Sequence, residues 1–219
     1  MFGLMKFRLT LFFAVLLFAP SLLRGQASPP SASVENYESL LAKLTAGDTK
    51  IDFTALRLAY SRSKNADPYG TDHDKRRQMN AAVIEKRCEE AMKMADALLT
   101  SIYLSPDAHV AKSNCYRAAG DSAKADFHKA IYLGLINSIL AKGDGTTAES
   151  AYTVVTIEEE YAVMKALGYT AWAQTFVRQN EHTYDVVSGT NDRSKSSAKF
   201  YFNVDIPLAL EKERKVQKQ

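Results

Sequence analysis

The stretch AKSNCYRAAGDSAKA, Ala111 to Ala125, decides how the front of this chain is read. Gly120-Asp121 reads as a turn between two helices. Working outward, the pattern predicts helices over 107–119 and 122–141. The stretch Ile131 to Leu140 is apolar on nearly every side, so the second of these belongs inside the structure. Upstream, Ile84, Cys88, Ala91, Ala95, Leu98 and Ile102 recur at helical spacing and predict one long helix over 75–103. Two shorter helices precede it. One runs from Val34 to Leu44 and is stopped by Gly47; the other is capped by Thr49 or Asp52 and carries Phe53, Leu56, Ala59 and Tyr60. Pro68 and Gly70 mark a loop over 65–72.

After Gly143-Asp144-Gly145 the composition changes. Tyr152 to Ile157 is β-branched and strand-like, and Glu158 to Leu167 is helical again, ended by Gly168. Trp172–Arg178, His182–Ser188 and Ala198–Val204 read as an antiparallel meander. Residues 211–219 read as a charged, frayed tail. The fold class expected is therefore α+β: helical hairpins over 34–142, then a small antiparallel sheet with one helix over 143–210.

The chain has 219 residues. Its first 27 read as a secretory signal peptide: Lys6 and Arg8, an apolar run from Leu9 to Leu23, and the small-x-small pattern Gly25-Gln26-Ala27. An uncleaved anchor is the alternative, although the run is shorter than the roughly 20 residues that cross a bilayer. A polar linker follows over 28–33. The expected location is secreted or periplasmic. Lys6, Arg8 and Arg24 account for the whole net charge of +3, so the remainder is formally neutral. That gives little counterion-release drive toward nucleic acid, and no further run suggests stable membrane insertion of the mature chain.

Cys88 and Cys115 are the only cysteines. A hairpin turning at Ser105-Pro106 offsets them by about 10 Å along the axis, more than the ~7 Å a disulfide spans. Two buried, inert thiols are the expectation, with a bridge as the alternative.

The helical hairpin around Gly120 resembles the middle of a tetratricopeptide repeat, through Ala111, Tyr116, Gly120, Asp121, Lys124 and Ala125. Separated stretches across 36–207 together resemble an uncharacterised family of secreted bacterial proteins, domain of unknown function 4919. They are Ile51–Arg57, Pro68-Tyr69-Gly70, Phe127-His128-Lys129, Gly134-Leu135, Ser138–Leu140, Gly143–Gly145, Glu159-Glu160-Tyr161, His182-x-Tyr184-Asp185 and Tyr201–Asp205. The resemblance implies a helical front and a β-containing rear and carries no activity. Where Gly is expected before His182 the chain has Glu181, which puts a tight turn there in doubt.

No histidine pair has metal-ligand spacing and no C-x-x-C occurs, so no metal site or cofactor is expected. His128, beside Phe127, reads as a partly buried ring bonded to the next helix. The most suggestive cluster is His182, Tyr184 and Asp185, with Glu158, Glu159, Glu160 and Asp205 in the same half. Strand alternation puts His182 and Asp185 on opposite faces, so a His–carboxylate pair has to recruit Asp205 or a glutamate. His182, Asp185, Glu160 and Asp205 are the weak catalytic candidates; the plainer reading makes His182 a strand start and Asp185 a turn or ion-pair residue. Among Trp172, Tyr152, Tyr169, Phe176, Tyr201 and Phe202, most are expected in the core, with some left for a ligand platform. The leading function is a secreted binding or scaffold module taking a protein or peptide on the helical face around Lys112, Arg117 and Lys124. The alternative is a hydrolase with a His/carboxylate site in the rear sheet. The oligomeric state is open.

Overall fold

The computed structural model of this chain describes residues 36–217. The expected signal peptide and linker lie outside those residues. The architecture is α+β. Among the described residues six helices come first: α1 (Tyr37–Thr45), α2 (Phe53–Ser61), α3 (His73–Ile84), α4 (Cys88–Ser101), α5 (Pro106–Ala118) and α6 (Ser122–Leu140). Then follow β1 (Tyr152–Thr153), α7 (Ile157–Ala166), β2 (Tyr169–Gln179), β3 (His182–Asn191), β4 (Ser197–Asn203) and α8 (Asp205–Gln217). Short polar side chains start the helices where the sequence offers them. Asn36, Asp52, Asp72, Ser105 and Asp121 each accept a backbone N–H from the first turn of the helix that follows.

The long helix expected over 75–103 is two helices. Lys86 adopts φ 60°, and the N–H groups of Lys86 and Arg87 donate to Val83 O and Ala82 O at 3.1 and 2.8 Å. This is a Schellman ending with lysine in the left-handed position that glycine usually takes. The break leaves Ile84 80 % exposed rather than on the apolar face. It also moves the cysteines. The turn between α4 and α5 centres on Tyr103-Leu104 rather than Ser105-Pro106, which shortens the axial offset to about 6 Å at 1.5 Å per residue. Cys88 and Cys115 are disulfide-bonded, with Cα atoms 5.3 Å apart. The expectation of two free thiols is thereby corrected.

α6 is the shared wall of the molecule. Its Ile131 and Leu135 pack with α1 and α2, while Ile136 and Ile139 pack with α7 and the sheet. Met79, Ala82, Ala91, Ala95, Leu98, Ala111 and Cys115 form a separate core among α3, α4 and α5. The α5–α6 turn forms at Gly120, with φ 81°.

The sheet order is β1-β4-β3-β2. The expected meander is present as β2-β3-β4, antiparallel throughout, but β1 joins β4 in parallel, so the sheet is mixed. Asn180 and Glu181, at φ 51° and 66°, make the tight two-residue turn between β2 and β3. Glutamate there does not prevent it. The tail is not frayed over its described length: α8 packs back through Tyr69 Oη to Glu211 Oε1 at 2.8 Å and Arg214 Nη1 to Asp67 Oδ2 at 2.7 Å. No described helix is long and apolar enough to cross a membrane.

Candidate functional site

Three consecutive glutamates open α7, and all three are buried: Glu158 3 %, Glu159 3 % and Glu160 0 % exposed. Carboxylates suit a helix N-terminus. Successive residues turn by about 100° around the axis, so the three side chains leave in three directions and each meets different partners.

Glu159 takes a two-pronged hydrogen bond from Arg57 of α2, Nε and Nη2 each at 2.7 Å, and accepts Val155 N–H at 2.8 Å. Arg57 Nη2 also donates to Thr153 O at 3.0 Å. Glu158 Oε2 accepts Thr71 N–H and Thr71 Oγ1–H, both at 2.7 Å, and meets Arg76 Nη1 at 3.1 Å, while Ser105 Oγ donates to Oε1. The loop over 65–72 reaches this carboxylate because Gly70 sits at φ 85°; a Cβ there would lie 2.5 Å from Glu158 Cβ. Pro68 O accepts Ile157 N–H at 2.8 Å, closing the same junction.

Glu160 differs. Its Oε2 accepts Gln174 Nε2–H at 3.3 Å, but Oε1 is buried with no donor directed at it. Gln174 also donates to Asp185 Oδ2 and accepts from Tyr161 Oη at 2.6 Å. Burial first, and the neighbouring Asp185 second, push the Glu160 carboxyl up to about 9. Burial pushes Asp185 up as well. A proton held by Glu160 removes the buried charge and lets it donate to Asp185.

Arg76 carries the network outward. Its Nε lies 3.5 Å from Asp107 Oδ2, which also binds Lys165 Nζ at 2.8 Å and Asn80 Nδ2 at 3.2 Å. These groups border a cleft of about 440 Å³ among α3, α5 and α7. It is lined by His73, Arg76, Arg77, Asn80, Tyr161 and Lys165, with Ala81 and Ile84 on the apolar side and Asp107 at the base. The volume falls within the range of small-ligand sites.

The catalytic candidates divide. His182 Nδ1 is 2.6 Å from Asp205 Oδ2, and Asp205 Oδ1 accepts Thr183 N–H at 2.9 Å. Of the acidic partners open to His182, Asp205 is the one in contact. Burial pushes the Asp205 carboxyl up, but the bonds from His182, Thr183 and Asn203 outweigh it and hold the group below its ordinary value. The pair is well exposed and ties the start of β3 to the start of α8. Glu160 and Asp185 meet on the other face, so the four candidates form two separate pairs. Asp185 closes no turn; it lies within β3, opposite Phe176 and Phe202.

His128 is 8 % exposed and its Nδ1 lies 2.9 Å from His109 Nδ1 on α5. His109 Nε2 lies 2.8 Å from Tyr103 O, a contact that requires Nε2–H. His109 Nδ1 therefore accepts, and His128 Nδ1–H donates. Burial drives His109 down to about 3 and His128 down to about 4, so both rings are neutral near pH 7. Among the described residues no group of three or more His, Cys, Asp or Glu could hold a metal ion.

On the helical face, Lys112 is buried and paired with Asp96. Arg117 pairs with Asp126, and Lys124 pairs with Asp121 beside the Tyr116 ring. Tyr152 and Phe202 are core, whereas Trp172 and Phe176 are each 63 % exposed. Sequence reasoning missed Arg57, Arg76 and Asp107, which lie far from the glutamates in sequence; Arg57 closes one of the stretches that carry the family resemblance.

The sequence profile of a family described as a domain of unknown function (DUF4919) matches residues 30–213. No curated protein and no solved structure matches the chain.

Proposed function

This chain belongs to the family of domain of unknown function 4919, and from that premise we propose that it is a secreted or periplasmic, non-enzymatic binding module that seats a peptide segment of a partner protein in the cleft among α3, α5 and α7. The cleft itself is the observation that carries the reading. Its rim sets Ile84, 80 % exposed, beside the cationic Arg77 and Lys165, with Asn80 and Tyr161 available as hydrogen-bonding groups. A peptide offering a carboxylate next to an apolar side chain matches that surface in charge and polarity. The seat proposed is at α3 rather than around Lys112, Arg117 and Lys124, because those three residues do not line the cleft. The Cys88–Cys115 disulfide supports an oxidising compartment. Nothing in the family match or in the His182–Asp205 geometry favours a hydrolase, because its acidic candidates are divided between two faces.

A photo-reactive amino acid placed at Ile84 tests this in cells of the source. One dominant cross-linked partner is expected, and Arg77→Glu weakens its capture. The same pattern of products from Ile84 and from a position on exposed α8, such as Lys212, sinks the proposal.

A further inference from the structure

Among the described residues, α4 is the one of the first six helices that starts without a side-chain cap. Arg87 makes no such bond, whereas the other five helices are capped. The first residue of α4 is Cys88, bonded to Cys115 in the last turn of α5. The bond therefore stands at the end of the α3–α4–α5 layer away from the Tyr103-Leu104 turn. Packing at that end is thin. Ala82 of α3, Ala91 of α4 and Ala111 of α5 bury one methyl each, and Val83 and Met92 are only partly buried. The larger Leu98 and Leu99 sit about three turns along α4, toward the other end. α3 is anchored unevenly as well. Arg76 ties its front half to Thr71, Asp107 and Glu158, and Asn80 bonds Asp107. The last four residues, Ala81 to Ile84, have no polar side chain. They are held by packing against α4 and by the backbone turn at Lys86. Ala81 and Ile84 line the cleft.

We propose that the Cys88–Cys115 bond positions this wall of the cleft. By fixing the start of α4 to α5 it holds the α3–α4 turn, and with it Ala81 and Ile84, where the apolar side of the peptide seat forms. The inference rests on the reading of the cleft as a peptide seat. Binding then belongs to the oxidised chain. With both thiols free, the turn and the helix ends on either side of it open as a unit. α6 and the sheet stay closed, because Ile131, Leu135, Ile136 and Ile139 of α6 pack in the other two cores.

Hydrogen–deuterium exchange read by mass spectrometry compares the oxidised protein with the same protein in dithiothreitol. The reagent gives two electrons and two protons to the disulfide and closes into its own cyclic disulfide; Cys88 is half-buried and within its reach. Amides over 79–93 are expected to exchange about tenfold faster or more after reduction, and those of α6 and β3 at their former rates. Unchanged exchange over 79–93 overturns the proposal. So does equal acceleration along the whole chain, which makes the bond a staple of the entire fold. Binding is read with the photo-reactive residue at Ile84 in the Cys88→Ala/Cys115→Ala chain. The dominant product is expected to fall about tenfold or more at equal protein level, in proportion to the fraction of closed cleft. Undiminished capture overturns the proposal. A parent chain that captures no dominant partner sinks the peptide seat itself, while the exchange pattern still decides whether the bond holds α3.

Discussion

The first turn of α7 and the outer edge of β2 lie only a few residues apart in sequence and treat polarity in opposite ways. The glutamates of α7 are charged by type yet buried, and Glu158 and Glu159 hold α2, the 65–72 loop and the α5 start through named hydrogen bonds. The β2 edge is uncharged and aromatic yet exposed. Residue type alone predicts the reverse of both. The contrast separates framework from surface: the acidic cluster is committed to joining elements, and Trp172 and Phe176 of the aromatic strand are left largely in solvent.

The largest effect expected is at the framework. Arg57→Ala leaves Glu159 buried without its cation, at a cost of about 3–5 kcal/mol and a fall in Tm of about 10 °C, read by thermal denaturation. Arg57→Met/Glu159→Leu recovers part of that loss, because the strong penalty belongs to the orphaned charge. A mild effect of the single variant breaks the comparison.

Gly70→Ala comes next. Its Cβ meets backbone-anchored Glu158 Cβ rather than a movable chain end, at a φ of 85°, for a loss of roughly 1–3 kcal/mol in urea unfolding.

The pH profile sharpens the picture. Glu160 keeps its proton in the native state up to about 9, whereas in the unfolded chain it releases it near 4.5. Between those values the native state holds the extra proton, so stability falls as pH rises. His109 and His128 stay neutral in the native state down to about 3 and about 4, while the unfolded chain protonates below 6.5. Their contribution is complete above 6.5 and is lost as pH falls toward those lower values. These opposing limbs place maximum stability near pH 6.5. Glu160→Gln flattens the alkaline limb and makes the protein more stable than the parent at pH 8, as denaturant midpoints across pH will show.

The smallest effect belongs to the edge. Trp172→Lys/Phe176→Lys changes the stability of the isolated fold by only about 0.5 kcal/mol, because neither side chain is buried. A loss several times larger shows that these aromatics support the sheet from within.

Some of this was legible in the sequence because the signals are local. Asp52, one of the two caps expected, caps α2, the expected turn forms at Gly120, and Gly47 ends α1 with the same hydrogen-bond pattern that ends α3. The second ending falls on Lys86, a residue without turn preference, and missing it merged two helices and misplaced Cys88. Strand alternation separated His182 from Asp185 and left Asp205 or a glutamate as the partner; the fold brings Asp205. The partners of α7 were not legible: Arg57 and Glu159 are 102 positions apart, and a run of three glutamates reads as a solvated face until tertiary packing closes over it.

The contact between His109 and His128 gives the α5–α6 pair an internal spectroscopic gauge. One imidazole is fixed as the Nε2–H tautomer and its neighbour as Nδ1–H, and two such rings carry distinct nitrogen-15 signatures. Any event that spreads the two helices frees both rings to exchange tautomers. The pair of spectra then converges, reporting motion inside the hairpin without an added label.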